Sequence, residues 1–275
     1  MLAAAVTMAI QAAAVGLPGP QASAASAFAG PVSLSRGRTI YLQCSGSGRF
    51  TVVLEPGDGG HRQHMAKLFE QLSSRYRVCA YDRRNMGLSS KAPLPRKAAD
   101  LSADLFDSLE ARGEKGPFVL FGSSIGGLLV RLHAATHTVA GFVTSNQVGT
   151  TAEWRAATYR FMRTKERRSD REWQAGANNE HIDVNDVSRV IQRAGPPAVP
   201  YVIMISTERL QCPATETCGP IYRGYVRMSK RTAHSGRRGS LRLFDGAHDL
   251  YLTHLPEVLA AIDEVVRMAS SDGAR

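Results

Sequence analysis

The sequence predicts an α/β fold, a mostly parallel sheet with helices on both faces, and three observations carry that expectation. From residue 38 onward, short runs rich in β-branched and aromatic residues alternate with helical patterns, as in folds that stack helices over a parallel sheet. Each run ends in Gly, Pro or polar turn residues. The 275 residues, 43% hydrophobic and 21% charged, have the size and composition of one large domain. They exclude a disordered, collagen-like or coiled-coil chain.

The first 29 residues carry no charged side chain and are dominated by Ala. Two small-x-small triplets close the stretch, Ala22-Ser23-Ala24 and Ala27-Phe28-Ala29. That is the pattern of an exported leader with its cleavage site, although no basic residues precede the apolar run. Residues 1–29 are therefore expected to be a signal peptide and residues 30–275 the folded domain of a secreted protein. The longest apolar run, 1–17, is interrupted by Thr7 and Gln11 and falls short of the ~18 residues of a confident membrane span. No integral span is expected once the leader is removed.

Strands are expected at 39–43, 50–54, 77–81, 117–121, 140–144, 201–205 and 240–244, and amphipathic helices at 64–73, 99–111, 126–136 and 256–268. In the second helix Leu101, Leu105 and Leu109 form one stripe. Residues 150–198 separate two strands by about fifty positions, too many for an ordinary crossover. They are expected to form a helical lid insertion over one end of the sheet. Its aromatics Trp154, Tyr159, Phe161 and Trp173 either line a substrate pocket or form the insertion's own core, the more common use of such residues.

Cys44, Cys79, Cys212 and Cys218 make an even set that suits an oxidising compartment, with three pairings open. No Cys-x-x-Cys occurs, and His61-x-x-His64 lacks the Glu and helical context of a metalloprotease motif. No metal and no cofactor are expected. The net charge is +10, from 34 Lys+Arg against 24 Asp+Glu. Much of it sits in two stretches, Arg160, Arg163, Lys165, Arg167, Arg168 and Arg171, then Arg223, Arg227, Lys230, Arg231, Arg237, Arg238 and Arg242. Such faces can steer anions. Aromatic residues that would stack bases are sparse among them, so solvated faces are expected rather than a nucleic-acid partner. The chain is expected to be a monomer.

The 118–121 strand runs straight into Gly122-Ser123-Ser124-Ile125-Gly126-Gly127, and a helical pattern follows at once. Gly-x-Ser-x-Gly in a strand-turn-helix context is the nucleophile elbow, which turns a serine hydroxyl out of a strained backbone and needs small neighbours for close packing. Ser124 is the expected nucleophile. Ile125, at the helix start, has a backbone N–H free to meet an oxyanion.

On these residues the chain resembles the α/β-hydrolases, and within them the secreted actinobacterial type of serine hydrolase, over residues 36–270. The landmarks run in order: Cys44-Ser-Gly-Ser-Gly, Thr51-Val-Val-Leu54 before Gly57-Asp58-Gly59-Gly60, Arg77-Val-Cys-Ala-Tyr81-Asp82-Arg83 with Gly87 and Ser89, the elbow, and Gly246-Ala247-His248. The resemblance implies an α/β-hydrolase fold with a small-molecule acyl substrate. It places His248, after the last strand, as the general base for Ser124. The turn after the 50–54 strand supplies the second oxyanion donor, Asp58 N–H. Family members often carry His-Gly there, where this chain has Glu55-Pro56-Gly57. For the acid, Asn146 stands where an Asp often does; Glu208 is the first candidate and Asp183 the alternative. The segment Asn178-Asn-Glu-His-Ile-Asp183 resembles a family segment too. The usual sheet order would pair Cys44 with Cys79 and leave Cys212 for Cys218. The implied activity is cleavage of an ester or related acyl bond through an acyl-enzyme. A non-catalytic binding protein or an acyltransferase of the same fold are the alternatives, and Ser at the elbow argues against the Asp-dependent epoxide hydrolases and haloalkane dehalogenases.

Overall fold

A computed structural model describes residues 26–207 and 217–272. Most of the expected leader, residues 1–25, lies outside the described residues, as do Glu208 and Cys212. The chain forms one eight-stranded sheet in the order β1-β2-β4-β3-β5-β6-β7-β8. Its strands are β1 (Phe28–Ser33), β2 (Thr39–Ser45), β3 (Thr51–Glu55), β4 (Arg77–Asp82), β5 (Phe118–Ser123), β6 (Gly141–Ser145), β7 (Tyr201–Ser206) and β8 (Gly239–Phe244). β2 runs antiparallel to both its neighbours, and every pair from β4 across to β8 is parallel. Each expected strand has its counterpart.

β1 was not legible as a strand. Phe28 and Ala29, assigned to the leader from sequence, are its first two residues and pair with Cys44 and Gln43 of β2. Gly30 and Pro31 mask the pattern; a proline that cannot donate to a ladder is tolerated here because β1 is an edge strand. Cys44 and Cys79 lie directly opposite each other in the β2–β4 register and are joined by a disulfide. Cys218 is also disulfide-bonded.

The helices are α1 (Ala66–Ser73), α2 (Ala98–Ala111), α3 (Ile125–Thr136), α4 (Thr151–Thr158), α5 (Thr164–Gln174), α6 (Val184–Ala194), α7 (Cys218–Ala233), α8 (Leu250–Thr253) and α9 (Leu255–Asp272). Strand alternation sends side chains to both faces. Val52 and Leu54 of β3 join Leu68 and Leu72 of α1 and Val258, Ile262 and Val265 of α9 on one face. Val53 joins Leu105 and Leu109 of α2 and Tyr225 and Met228 of α7 on the other. A third cluster packs Leu128, Leu129 and Leu132 of α3 against Val184, Val187 and Ile191 of α6.

Helix α7 was also missed from sequence, because Gly219, Pro220 and Gly224 break its pattern. Pro220 sits in the first turn, where its missing N–H costs little. Gly224 lets α7 approach α4: a Cβ there would lie 2.4 Å from the Ala157 carbonyl oxygen. The expected insertion between β6 and β7 is helical, made of α4, a 3-10 turn at Tyr159–Phe161, α5 and α6. Among the described residues no helix is long and apolar enough to cross a membrane.

Candidate active site

The parallel strands all end at the same rim of the sheet, where open α/β sheets bind their ligands. Pro56-Gly57-Asp58 follows β3, Ser124 follows β5, Asn146 and Gln147 follow β6, and His248 follows β8. Ser124 adopts φ 56 and ψ −120, a region that non-glycine residues avoid unless the surroundings hold them there. Here three backbone hydrogen bonds do so. Ser124 N–H donates to the Ser145 carbonyl (2.8 Å), and the Ser124 carbonyl accepts from Gly127 N–H (3.0 Å) and Val148 N–H (3.0 Å). The glycines are required by space: a Cβ on Gly122 would lie 2.2 Å from the Gly126 carbonyl oxygen, and one on Gly126 would lie 2.3 Å from that of Glu55.

Ser124 and His248 line one cavity of about 230 Å³, and both are half-buried. Among the described residues no direct hydrogen bond joins them. The cavity wall includes Trp154 and Trp173 of the insertion. Trp154 also packs against the second core cluster and Trp173 against the third, so the two tryptophans serve both uses weighed from sequence. Tyr159 reaches the wall through its hydroxyl, which donates to Asp170 (2.7 Å). Phe161 instead lies under the guanidinium groups of Arg160 and Arg227. Asp170 is the one carboxylate lining the cavity among the described residues. It also accepts from Trp154 Nε1 (3.0 Å) and Gln174 Nε2 (2.8 Å). Burial pushes its carboxyl above the ordinary aspartate range, against the effect of the Tyr159 and Trp154 hydrogen bonds.

Asn146 is an anchor. Its Nδ2 donates to the His248 carbonyl (2.6 Å) and its Oδ1 accepts from Ser206 N–H (2.7 Å). One amide thus ties the ends of β6 and β7 to the histidine loop, a task that needs a donor and an acceptor and that an Asp carboxylate could not perform. Asp183, the alternative acid, is not brought to the cavity. It caps α6, accepting from Asp186 N–H (2.9 Å), and pairs with Lys97 (2.6 Å). Glu208 lies outside the described residues.

Asp58 and Ile125 come from the two turns that meet at the elbow; a Cβ on Gly57 would lie 3.4 Å from Ser124 Cβ. The Asp58 carboxylate is held by Asn179 N–H (3.1 Å). Burial raises its pKa above the ordinary range.

Sequence reasoning missed what holds this turn. Arg83 is fully buried and grips it from beneath, donating to the carbonyls of Pro56 (2.9 Å) and Gly57 (2.7 Å). Its charge is met by Glu55 on one side and Glu180 on the other, with Arg83 Nε donating to Glu180 Oε2 (2.7 Å). Glu180 Oε1 accepts from Gly59 N–H (2.9 Å). Tyr81 donates to Glu55 (2.6 Å), and His133 Nε2 lies 3.3 Å from the same carboxylate. Burial opposes ionisation of Glu55, yet Arg83, His133 and Tyr81 outweigh it and hold the carboxyl below the ordinary glutamate range. This is the role of the 178–183 segment, which is further fixed by Arg96 N–H donating to His181 O (2.8 Å) and Asp183 N–H to Arg96 O (2.9 Å). The other landmarks are structural. Asp82 accepts from Arg62 N–H (3.0 Å) and Leu88 N–H (2.9 Å), and a Cβ on Gly87 would strike its carboxylate at 2.2 Å.

A family model described as the alpha/beta hydrolase fold matches residues 51–184, from β3 through the elbow into the insertion. Solved structures agree over most of the chain. An esterase from Exiguobacterium antarcticum is 14% identical with a TM-score of 0.60, the match covering 88% of this chain and 100% of that one. For a monoacylglycerol lipase from Paleococcus ferrophilus the identity is 19%, the TM-score 0.57 and the coverage 83% and 99%. For an esterase from a Rhodococcus species they are 18%, 0.58, 90% and 99%. With the sheet order, the strained elbow after β5 and these likenesses together, the chain has the α/β-hydrolase fold.

Proposed function

We propose that this protein is a secreted serine hydrolase that cleaves an ester or related acyl bond of a small molecule. The observation that carries the reading is Ser124, strained in its elbow and facing the cavity whose wall also holds His248. In the proposed reaction the His248 imidazole takes the Ser124 proton as Oγ attacks the acyl carbon. The oxyanion is met by the N–H groups of Asp58 and Ile125. His248 then protonates the leaving group, and water attacks the acyl-enzyme by the same steps in reverse. Glu208 is the proposed acid that orients the imidazole, and the helices α4 and α5 are the proposed lid. Export is supported by the uncharged, Ala-rich leader and by the Cys44–Cys79 disulfide, since such bonds persist in oxidising compartments.

The test is covalent labelling of folded, oxidised protein with a fluorophosphonate, alongside turnover of p-nitrophenyl esters. Labelling and turnover are expected in the natural protein, and loss of both in Ser124→Ala and His248→Ala. Folded protein that takes no label would instead be a binding protein built on a hydrolase fold.

A further inference from the structure

A second cavity, of about 460 Å³, lies at the antiparallel edge of the sheet and shares no lining residue with the one that holds Ser124. Three stretches of chain enclose it: the turn between β1 and β2, the loop after β4 and the first turns of α2. Four of its lining residues are arginines, Arg36, Arg38, Arg84 and Arg96, against two aspartates, Asp100 and Asp104.

Half of the positive charge is met inside the protein. Arg38 pairs with Asp104 (3.0 Å) and Asp107 (2.5 Å), and the buried Arg96 pairs with the other oxygen of Asp104 (2.6 Å). The other half is not met. Arg84 is half-buried and has only uncharged partners among the described residues, its Nε donating to Ser90 Oγ (3.2 Å) and its Nη2 to the Lys91 carbonyl. Arg36 has no hydrogen bond or ion pair among the described residues, and its backbone is held at φ 59, a left-handed conformation that costs energy for a residue with a side chain. Arg84 also stands against Arg96, whose Nη1 donates to the Arg84 carbonyl (3.1 Å). Burial holds the Arg96 guanidinium below the ordinary arginine range, with Asp104 resisting and the Arg84 charge adding to the effect. Like charges gathered in a concave place raise the local potential and draw an anion. Asp100 is the one unpaired carboxylate of this wall, and it is exposed.

We propose that this cavity is an anion site in which Arg36 and Arg84, backed by Arg96, hold a phosphate group. Guanidinium forks match the oxygens of phosphates and carboxylates alike. Two cations without carboxylate partners match the two charges of a phosphate dianion, where a carboxylate brings one. The volume leaves room beyond the ion itself, so the phosphate is either free or the end of a small phosphomonoester.

The experiment titrates the folded, oxidised protein by calorimetry with inorganic phosphate, glycerol 3-phosphate and glycerol, at a pH above the second pKa of phosphate and at an ionic strength held constant with sodium chloride. One saturable phosphate site is expected, with a dissociation constant of about 1 mM from a few charge-assisted hydrogen bonds. Arg84→Gln and Arg36→Gln should each weaken it by about tenfold to a hundredfold, and Asp100→Asn should tighten it. Arg36 is exposed, so its variant keeps the test open even if Arg84→Gln fails to fold. Arg223→Gln removes the same charge from α7 and should leave binding unchanged. Tighter binding of glycerol 3-phosphate than of phosphate assigns the site to a phosphomonoester, and equal binding assigns it to the free ion. Absence of saturable phosphate binding overturns the proposal, as does a loss in Arg223→Gln as large as that in Arg36→Gln.

Discussion

Replacing Glu180 by Gln probes whether the insertion governs the chemistry at a distance. The substitution keeps the shape and one acceptor for Gly59 N–H but removes the charge that faces Arg83 and places an amide donor against a guanidinium donor. Arg83 and Glu180 are both buried, and breaking such a pair by removing one partner costs about 3–5 kcal/mol. Glu55 still faces Arg83, which puts the expected loss near the lower end of that range. Catalysis should suffer separately, because Arg83 holds the carbonyls of Pro56 and Gly57, the latter in the same peptide unit as the proposed Asp58 N–H donor. Removal of an oxyanion donor costs about 10²–10³ in kcat; a displaced donor should cost about ten- to a hundredfold. Oxyanion contacts form in the transition state, so kcat should fall with little change in KM. The assay is steady-state hydrolysis of a p-nitrophenyl ester, with urea unfolding to confirm that the variant is folded at the assay temperature. Arg83→Lys, which keeps the charge without the fork, should move kcat in the same direction. A folded, destabilised Glu180→Gln whose kcat stays within about twofold of the natural protein, far from the donor-loss range, would refute the coupling.

Asn146→Asp should lower both stability and turnover, because a carboxylate would face the His248 carbonyl that the Nδ2 now serves. An unmet buried group of about 1–3 kcal/mol corresponds to a melting temperature lower by roughly 3–9 °C, and a gain in turnover would instead make position 146 the site of the missing acid. Acid should unfold the protein through Glu55 and Glu153. Burial alone would raise the pKa of Glu153, but the Arg131 pair and Thr150 hold it below the ordinary value of 4.5, as Arg83 and His133 do for Glu55. A depressed folded pKa gives stability that is complete above the unfolded value and is lost as pH falls through the folded one. Urea midpoints should therefore drop below about pH 4.5, and less so in Glu153→Gln; a flat profile would contradict both assignments. The proposed leader should be cut after Ala24, because cutting after Ala29 would remove Phe28, which pairs with Cys44 and lies under the Arg112 guanidinium at 3.8 Å. Intact mass of the exported protein should show Ala25 as its first residue, and a start at Gly30 would contradict this.

Periodicity revealed the sheet because strands that are buried on both faces read as apolar runs: 201–205 and 51–54 could hardly be anything else. It failed where local rules are suspended for tertiary reasons. β1 hides behind Gly30 and Pro31, permitted by its edge position, and α7 hides behind Gly224, required by its contact with α4. At the candidate site Ser124 was legible because the elbow's demands are local and steric. Arg83 was visible only as a letter in a motif, since its burial between Glu55 and Glu180 joins residues far apart in the chain.

The insertion serves the cavity in two ways. Its 178–183 segment is riveted to the sheet rim through Arg83, Asp58 and Arg96, whereas α4 and α5 contribute the tryptophans of the cavity wall. Remodelling those two helices can retune which molecules are admitted while the turn beneath Asp58 keeps its shape.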